Sequence, residues 1–396
     1  MVTVTYFWEL LFWTSVAWLA YVYAGYPLCL WILSFWRTFG PEIDEEYVPK
    51  VSVLISARNE EKDIRWKVSE TLAWNYPSDR LELIIASDAS DDGTDEILRG
   101  IQDPRLKYIR LETRVGKNEA LNRLVTIATG DLLFFTDANS HVGPDCLRRL
   151  TRYFADPRVG CVTGFEHTIR EEKEASIASG WKTFLGIESL ITGLESRLGS
   201  VLTCDGSIFC IRRELYTPVQ PELANDLELP IRIGSQGWAL LYEPAAMSME
   251  RAVRTAREDF QRRRRVCGQG FLAAWRLRRF LRGVRLWQFI SRKLLRWLAL
   301  IPITALFFSI TALVSHVMFA WLWSLQILFY CIALGGWLFA SMELNISPLF
   351  SMPFYFLLVN IGAFTGVIEA CLGRRFCVWE IAKLSRGREE VQRTFS

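Results

Sequence analysis

The stretch Leu10–Phe35 runs for 26 residues without an Asp, Glu, Lys or Arg, and this constrains the chain more than any other feature. As a helix rising 1.5 Å per residue, it can cross the roughly 30 Å hydrocarbon core of a bilayer with some tilt. A cleaved signal peptide would want a basic start, a shorter apolar run and a small-residue cleavage site. The residues ahead of this stretch carry Glu9 and neither Lys nor Arg, so an uncleaved anchor is expected. Arg37, just past it, is expected to hold the adjoining domain on the cytoplasmic side. Three more apolar segments, about Trp297–Val317, Phe319–Phe339 and Leu349–Leu372, approach the spanning length. One anchor and three later spans would put the tail outside. Yet Arg374, Arg375, Lys383, Arg386 and Arg388 favour the inside, so either one segment is re-entrant or the first does not cross.

Between the anchor and the later segments the pattern changes. Apolar, β-rich runs at Val51–Ser56, Leu81–Ala86, Leu106–Leu111, Leu132–Thr136, Val159–Thr163 and Ser207–Ile211 read as strands. Glu60–Trp74, Asp92–Gly100 and Asn118–Ala128 read as helices between the early ones, with Asp91 or Asp92 able to cap the second. This alternation predicts an α/β domain with a mostly parallel sheet covered on both faces. With 51% hydrophobic and 22% charged residues, the 396-residue chain is neither disordered nor collagen-like nor a disulfide scaffold. Nine scattered Cys show no CxxC spacing, and with three His no zinc pattern can be written. Reduced thiols are expected. There is no internal repeat and no low-complexity segment.

Charge is unevenly placed. Glu250 to Arg296 holds 15 Arg or Lys against 3 acids, while the whole chain is at +3. A basic block beside a hydrophobic tail suits a membrane surface or a phosphate-bearing ligand. Leu277, Phe280, Leu281, Val284 and Trp287 would share one face of a helix, with Arg278, Arg279, Arg282 and Arg285 opposite. The expectation is an amphipathic helix in the headgroup region.

Four constellations can carry chemistry. Ser87-Asp88-Ala89-Ser90-Asp91-Asp92-Gly93-Thr94 comes directly after an apolar strand, where open α/β sheets bind ligands; a carboxylate there can accept from the imide N–H of a uracil. Phe134-Phe135-Thr136-Asp137-Ala138-Asn139 again sits at a strand end. Asp-x-Asn sets two oxygen-bearing side chains on one side of an extended chain, which suits Mg²⁺ or Mn²⁺ on a diphosphate. Ala224-Asn225-Asp226-Leu227-Glu228 offers a carboxylate that could deprotonate a hydroxyl nucleophile. Gln261-Arg262-Arg263-Arg264-Arg265 offers guanidinium groups for phosphate oxygens; adjacent apolar spans argue against a nucleic-acid partner. Each, taken alone, also reads as a cap, a turn, a solvated helix start or a topology signal.

In this order and spacing the four resemble the membrane-bound family 2 inverting glycosyltransferases, whose polymerising members are the cellulose, chitin and hyaluronan synthases. Ser56-Ala57-Arg58-Asn59-Glu60 is similar to that family's opening nucleotide loop, and Gly116-Lys117-Asn118-Glu119-Ala120-Leu121-Asn122 to its Gly-Lys-x-x-Ala-Leu-Asn segment. Gly206-Ser207-Ile208-Phe209-Cys210-Ile211-Arg212-Arg213 is similar to its acceptor-side strand. The resemblance implies a GT-A-type nucleotide-sugar-binding domain with Mg²⁺ or Mn²⁺ as cofactor. It implies donor contacts from Ala57, Arg58, Glu60, Asp88, Lys117, Asp137, Gln261, Arg264 and Arg265, with Asp88 at the base. It implies metal binding by Asp137 and Asn139, Asp226 as catalytic base, and an acceptor side with Trp181, Glu188, Gly206 and Ser207.

The implied layout is an N-terminal anchor (1–40), a cytoplasmic GT-A domain (41–260), an Arg-rich motif with an interface helix (261–296), about three C-terminal spans (297–373) and a basic tail (374–396). The implied reaction moves a sugar, from a UDP-sugar by expectation, to a lipid-linked or saccharide acceptor at the cell's inner or plasma membrane. Three departures keep alternatives open. Asn139 stands where synthases carry Asp, Asn225 precedes Asp226 where many carry a second acid, and Arg265 replaces the Trp of Gln-x-x-Arg-Trp. The alternatives are a processive synthase that also exports its product, and a degenerate nucleotide-binding membrane scaffold.

Overall fold

The computed structural model describes residues 2–169, 175–251, 255–342, 344 and 347–374, and their side chains except at 2–3, 168–169, 175–185 and 251. The strands are β1 (Val51–Ala57), β2 (Leu81–Asp88), β3 (Leu106–Leu111), β4 (Leu132–Phe135), β5 (His141–Val142), β6 (Val159–Ile169), β7 (Phe209–Arg212) and β8 (Ala239–Arg251). They form one sheet in the order β3-β2-β1-β4-β7-β6-β8-β5. The first half is parallel, with Val51 opposite Leu81 and Ala57 opposite Ser87. β7 runs antiparallel to both β4 and β6, and β8 is parallel to β6. The sheet is therefore mixed, and its parallel half is the part read from the β/α alternation.

β1 has no polar face because both sides are covered. Val51, Val53 and Ile55 pack with Leu83, Ile85 and Phe134 on one side; Leu54 packs with Ile84, Ala86, Leu133 and Phe135 on the other. Helices α3 (Ile64–Leu72), α4 (Thr94–Arg99), α5 (Lys117–Ile127) and α6 (Cys146–Thr151) belong to this domain, after the N-terminal α1 (Val2–Ala20) and α2 (Tyr26–Trp36). Asp92, two residues before α4, accepts from the Thr94 backbone N–H at 3.0 Å; the N-cap position itself is Gly93, so neither Asp91 nor Asp92 is the cap.

The remaining helices are α7 (Ala175–Arg197), α8 (Asn225–Ser235), α9 (Ala256–Arg276), α10 (Gly283–Gln288), α11 (Leu295–Trp297), α12 (Leu300–Ala312), α13 (Val317–Ser341) and α14 (Pro348–Cys371). Among the described residues, Val4–Trp36, Val317–Ser341 and Pro348–Cys371 are long and apolar enough to cross a membrane. Gly283–Trp297 and Leu300–Ala312 form a pair bent by 55°, a fourth candidate if the pair counts as one span. Only Arg374 of the basic tail lies within the described residues.

Two sequence expectations are corrected by the structure. The segment expected at Trp297–Val317 is not one full span: α12 has 13 residues, about 20 Å against a core of about 30 Å. Pro302 has no N–H to give to Leu298, so the helix before it cannot run through and restarts with Pro in its first turn. The amphipathic helix expected from Leu277 to Trp287 is also broken. α9 ends at Arg276 and α10 begins only at Gly283, whose φ of +54° is a left-handed conformation that a helix running through from Leu277 could not contain. Leu277 and Leu281 are buried in a cluster with Leu227, Trp297 and Val367 rather than turned to lipid.

α14 docks on α9 through small residues. A Cβ on Gly366 would lie 2.1 Å from the Arg264 carbonyl oxygen, so only glycine permits this approach. Above all, one buried network joins the helices near the membrane to the domain. Arg292, 5% exposed, donates to Glu195 at 2.5 Å, to Glu188 at 2.9 Å and to the Thr192 hydroxyl at 2.8 Å. Glu195 also accepts from the Tyr26 hydroxyl at 2.6 Å and the Leu202 N–H at 3.1 Å. Glu195→Ala would leave the Arg292 charge buried against fewer acceptors, which costs about 3–5 kcal/mol. Thermal unfolding in detergent should show the midpoint lowered by roughly 5 °C; an unchanged midpoint would contradict a structural role for the pair.

Candidate active site

β1 and β2 end side by side, and both chains leave the sheet through left-handed residues: Asn59 at φ +53° and Ala89 at φ +51°. Such backbone is unfavourable for non-glycine residues and needs surrounding bonds to hold it. Arg58 supplies two, donating to the carbonyls of Asp88 and Ala89 at 2.7 Å each. Glu60 donates its N–H to the Thr94 hydroxyl at 2.8 Å. Ala57 is buried in the sheet beside Ser87. Asp88 accepts from the N–H groups of Val115 at 2.7 Å and Gly116 at 2.9 Å. Its carboxylate therefore fixes the turn that opens α5, where Gly116 sits at φ +90°. The next residue, Lys117, reaches across to Asp137, its ammonium 2.5 Å from Oδ1.

The turn bearing Asp137 is held from below by a lysine. Lys67 on α3 is fully buried and donates to the Ser140 carbonyl at 2.6 Å and the Thr136 hydroxyl at 3.0 Å, with Glu70 at 3.8 Å. Burial pushes the Lys67 ammonium below its ordinary value, while Glu70 and Asp137 oppose the shift. The Asn139 amide donates to Glu250 at 3.3 Å, and Glu250 accepts from Arg262 at 3.4 Å. Arg262 also lies 3.5 Å from Glu166. Burial, with Glu250 and Asp205 nearby, pushes the Glu166 carboxyl well above the usual range. Burial pushes Asp205 up to about 6, although the N–H and hydroxyl of Ser207 hold it down. Among the described residues no three His, Cys, Asp or Glu side chains gather closely enough to hold a metal ion by themselves. The oxygens of Asp137, Asn139 and Glu250 suit a hard cation whose other ligands come from a bound phosphate group. Lys117 shows that the Asp137 carboxylate already attracts a cation.

Asp226 lies in the first turn of α8. Pro230, four residues on, has no N–H, so the Asp226 carbonyl has no helical partner. Cys204 takes its place, its N–H 2.9 Å from that oxygen. The Cys204–Ser207 loop is thereby tied to the helix, and a Cβ on Gly206 would lie 3.6 Å from the Asp226 carboxylate. Burial raises the Asp226 carboxyl above its ordinary value; Lys117 and Lys293 pull it down, and Asp137 pushes it further up.

Of the three residues expected from the Arg-rich helix, Gln261, Arg264 and Arg265, Arg265 lies in the field of the acids, and Arg262 rather than Gln261 or Arg264 joins it there. At about 100° per residue, positions 262 and 265 share a face and 264 does not. Arg264 instead pairs with Glu369 of α14 at 3.3 Å, and Gln261 is exposed. Arg265 feels Arg262, Glu250 and Asp137; burial and Arg262 bring its guanidinium down to about 10. On the expected acceptor side, Gly206 borders Asp226, but Ser207 is 2% exposed, its hydroxyl bonded to Asp205 and Ser248, so it does not face a cleft. Glu188 is taken up by Arg292 and Arg296. The Trp181 side chain lies outside the described residues. Sequence reading missed Lys67, Glu250 and Lys293, which have no local motif, and Asp205, whose signal was its place beside Gly206.

Residues 52–217 match the family Glycosyl transferase family 2. A beta-monoglucosyldiacylglycerol synthase from Synechocystis is 29% identical over 245 residues, 58% of this chain and 50% of that protein. A poly-beta-1,6-N-acetyl-D-glucosamine synthase from Staphylococcus aureus is 26% identical over 215 residues, 52% of this chain and 51% of that one. The chain spans about half the length of the curated relatives it matches. A solved mannosyltransferase from Pyrobaculum calidifontis, in complex with GDP-Man and Mn²⁺, superposes with a TM-score of 0.69 at 20% identity, covering 92% of this chain and 99% of that one. The fold is thus GT-A-like.

Lys67→Met removes the only charge under the Asp137 turn that is fully buried among the residues described. It leaves Ser140, Thr136 and Glu70 without their buried donor, a loss of about 3 kcal/mol. Thermal unfolding should shift down accordingly, and an unshifted midpoint would show that the turn holds itself.

Proposed function

We propose that the glycosyl transferase family 2 domain at residues 52–217 works, with the helices after it, as an inverting transferase. It moves a sugar from a nucleotide-sugar, a UDP-sugar by this reading, to a membrane-associated lipid or saccharide. The layout accords with the same reading: an anchor at 1–40, a cytoplasmic domain at 41–260, an interface segment at 261–296, C-terminal spans at 297–373 and a basic tail, in a multi-pass protein of the cell membrane. One observation carries the proposal. Lys117 lies 2.5 Å from Asp137, and its charge interacts with Asp226 and Glu250. The carboxylates that the resemblance assigns to the metal and to the base thus converge on one cation.

In this reading Asp88 and Arg58 shape the pocket for the base by fixing the loops after β1 and β2. Asp137, with Asn139 and Glu250 beside it, would hold Mg²⁺ or Mn²⁺ against the diphosphate; the ion would neutralise charge growing on the leaving group. Lys117, Arg262 and Arg265 add positive charge to the same place, and each well-placed donor lowers the barrier by about 3 kcal/mol. Asp226 accepts the acceptor's proton as its hydroxyl attacks the anomeric carbon opposite the leaving diphosphate. A single displacement needs no enzyme nucleophile. The polysaccharide-forming relative supports a second reading, repeated addition to a growing chain; the length of the product separates the two.

Asp226 must be ionised to take the proton, and its carboxyl is raised in the folded protein. Activity should therefore fall as pH drops through that raised value. Asp226→Asn should cut turnover by at least about 100-fold, while calorimetry still detects donor binding. Donor binding lost with turnover retained would contradict the role of Asp226 as base.

A further inference from the structure

The transferase reading leaves the acceptor as a lipid or a saccharide, and two features outside the donor site decide between them. The first is Lys293, on the π-helical segment Phe289–Leu294. π-Helical turns are unusual and cluster at functional sites. The nearby arginines are committed: Arg292, on the same segment, to Glu195 and Glu188, and Arg296, on α11, to Glu188. Lys293 is half-buried, and among the described residues it has no ion pair within 4.0 Å and no hydrogen bond. Its charge nevertheless acts on Asp226 and Glu188. An ammonium withdrawn from water needs an anion, and the charge of this one reaches the group that would receive the acceptor's proton.

The second feature is an open groove of about 430 Å³ lined by Leu300, Ile301, Thr304, Ala305 and Phe308 of α12 and Phe364 of α14. Its one polar group, the Thr304 hydroxyl, is already satisfied by the Leu300 carbonyl at 2.8 Å. The groove offers a ligand nothing but apolar surface. It begins seven residues after Lys293, just past the 55° bend between Gly283–Trp297 and Leu300–Ala312. A saccharide would use neither the bare ammonium nor the apolar groove. Diacylglycerol would use only the groove.

We propose that the acceptor is an anionic phospholipid with a free hydroxyl in its headgroup. Its phosphate pairs with Lys293, and an apolar chain lies in the groove between α12 and α14. The proposal rests on the transferase reading and narrows its acceptor. In the step itself the headgroup hydroxyl oxygen bonds to the anomeric carbon. The bond from that carbon to the diphosphate breaks, its electron pair leaving with the diphosphate, and the hydroxyl proton passes to Asp226. The lipid phosphate is unchanged.

The test uses the full chain in phosphatidylcholine vesicles doped with phosphatidylglycerol, diacylglycerol or polyprenyl phosphate, with kcat/KM for the lipid read from glycolipid product. Calorimetric donor binding on the same sample reports separately on the transferase reading. Phosphatidylglycerol should be glycosylated in preference to diacylglycerol, and Lys293→Gln should lower that preference about ten-fold, the loss of one charge-assisted bond. Asp226 serves both lipids, so any effect of Lys293 on the base cancels in the ratio. Thr304→Trp, which fills the groove, should raise KM for the lipid. Equal use of diacylglycerol, a ratio unmoved by Lys293→Gln, transfer to polyprenyl phosphate instead, or transfer only to soluble saccharides would each overturn the proposal.

Discussion

The Arg292 guanidinium, buried between α7 and the chain leading into α12, is the contact on which the rest of the arrangement turns. A charge held there needs its acceptors in place, and they come from distant stretches: Glu188, Thr192 and Glu195 from α7, with Tyr26 of α2 on the far side of Glu195. Satisfying one cation thereby fixes the N-terminal helix, α7 and the π-helical segment against one another. Buried pairs add little net stability over apolar packing, but they are unforgiving of misplacement, which suits an interface that must hold one geometry. With that geometry the Lys293 charge acts on Asp226.

The site above it uses the same device on a smaller scale. Groups that could serve a ligand are held by bonds that look purely structural. Asp88 closes the turn before Lys117, and Lys67 props the turn that carries Asp137. Pro230 frees the Asp226 carbonyl, and Cys204 takes it. Glu250 links Asn139 to Arg262, and so ties the turn bearing Asp137 to the Arg-rich helix. Glu250, from β8, thereby brings a carboxylate beside Asn139.

Much of this was legible in the sequence, for a physical reason. β1 and β2 are buried on both faces, so they read as unbroken apolar runs, and the motifs after them fall where parallel strands end. β6 and β8, by contrast, run well past their apolar starts to Ile169 and Arg251, where polar residues such as Glu166 and Glu250 enter the site. What failed to show was long-range. No local pattern announces that Lys67 lies under Ser140, or that Arg264 turns to Glu369 while Arg262 and Arg265 face the acids. The broken helices were marked by Gly283 and Pro302, yet hydrophobic spacing alone ran through both.

In the proposed function, Asp137, Lys117 and Asp226 serve a single transfer reaction that depends on a divalent ion. Its most direct test is release of nucleoside diphosphate by the detergent-purified chain, across a panel of UDP- and GDP-sugars, with Mn²⁺ or Mg²⁺ and after chelation. Release from one class of donor is expected, abolished by the chelator and restored by the ion. Donor binding without release under any of these conditions, with phosphatidylglycerol present as acceptor, would contradict the claim and leave a membrane scaffold that binds nucleotides.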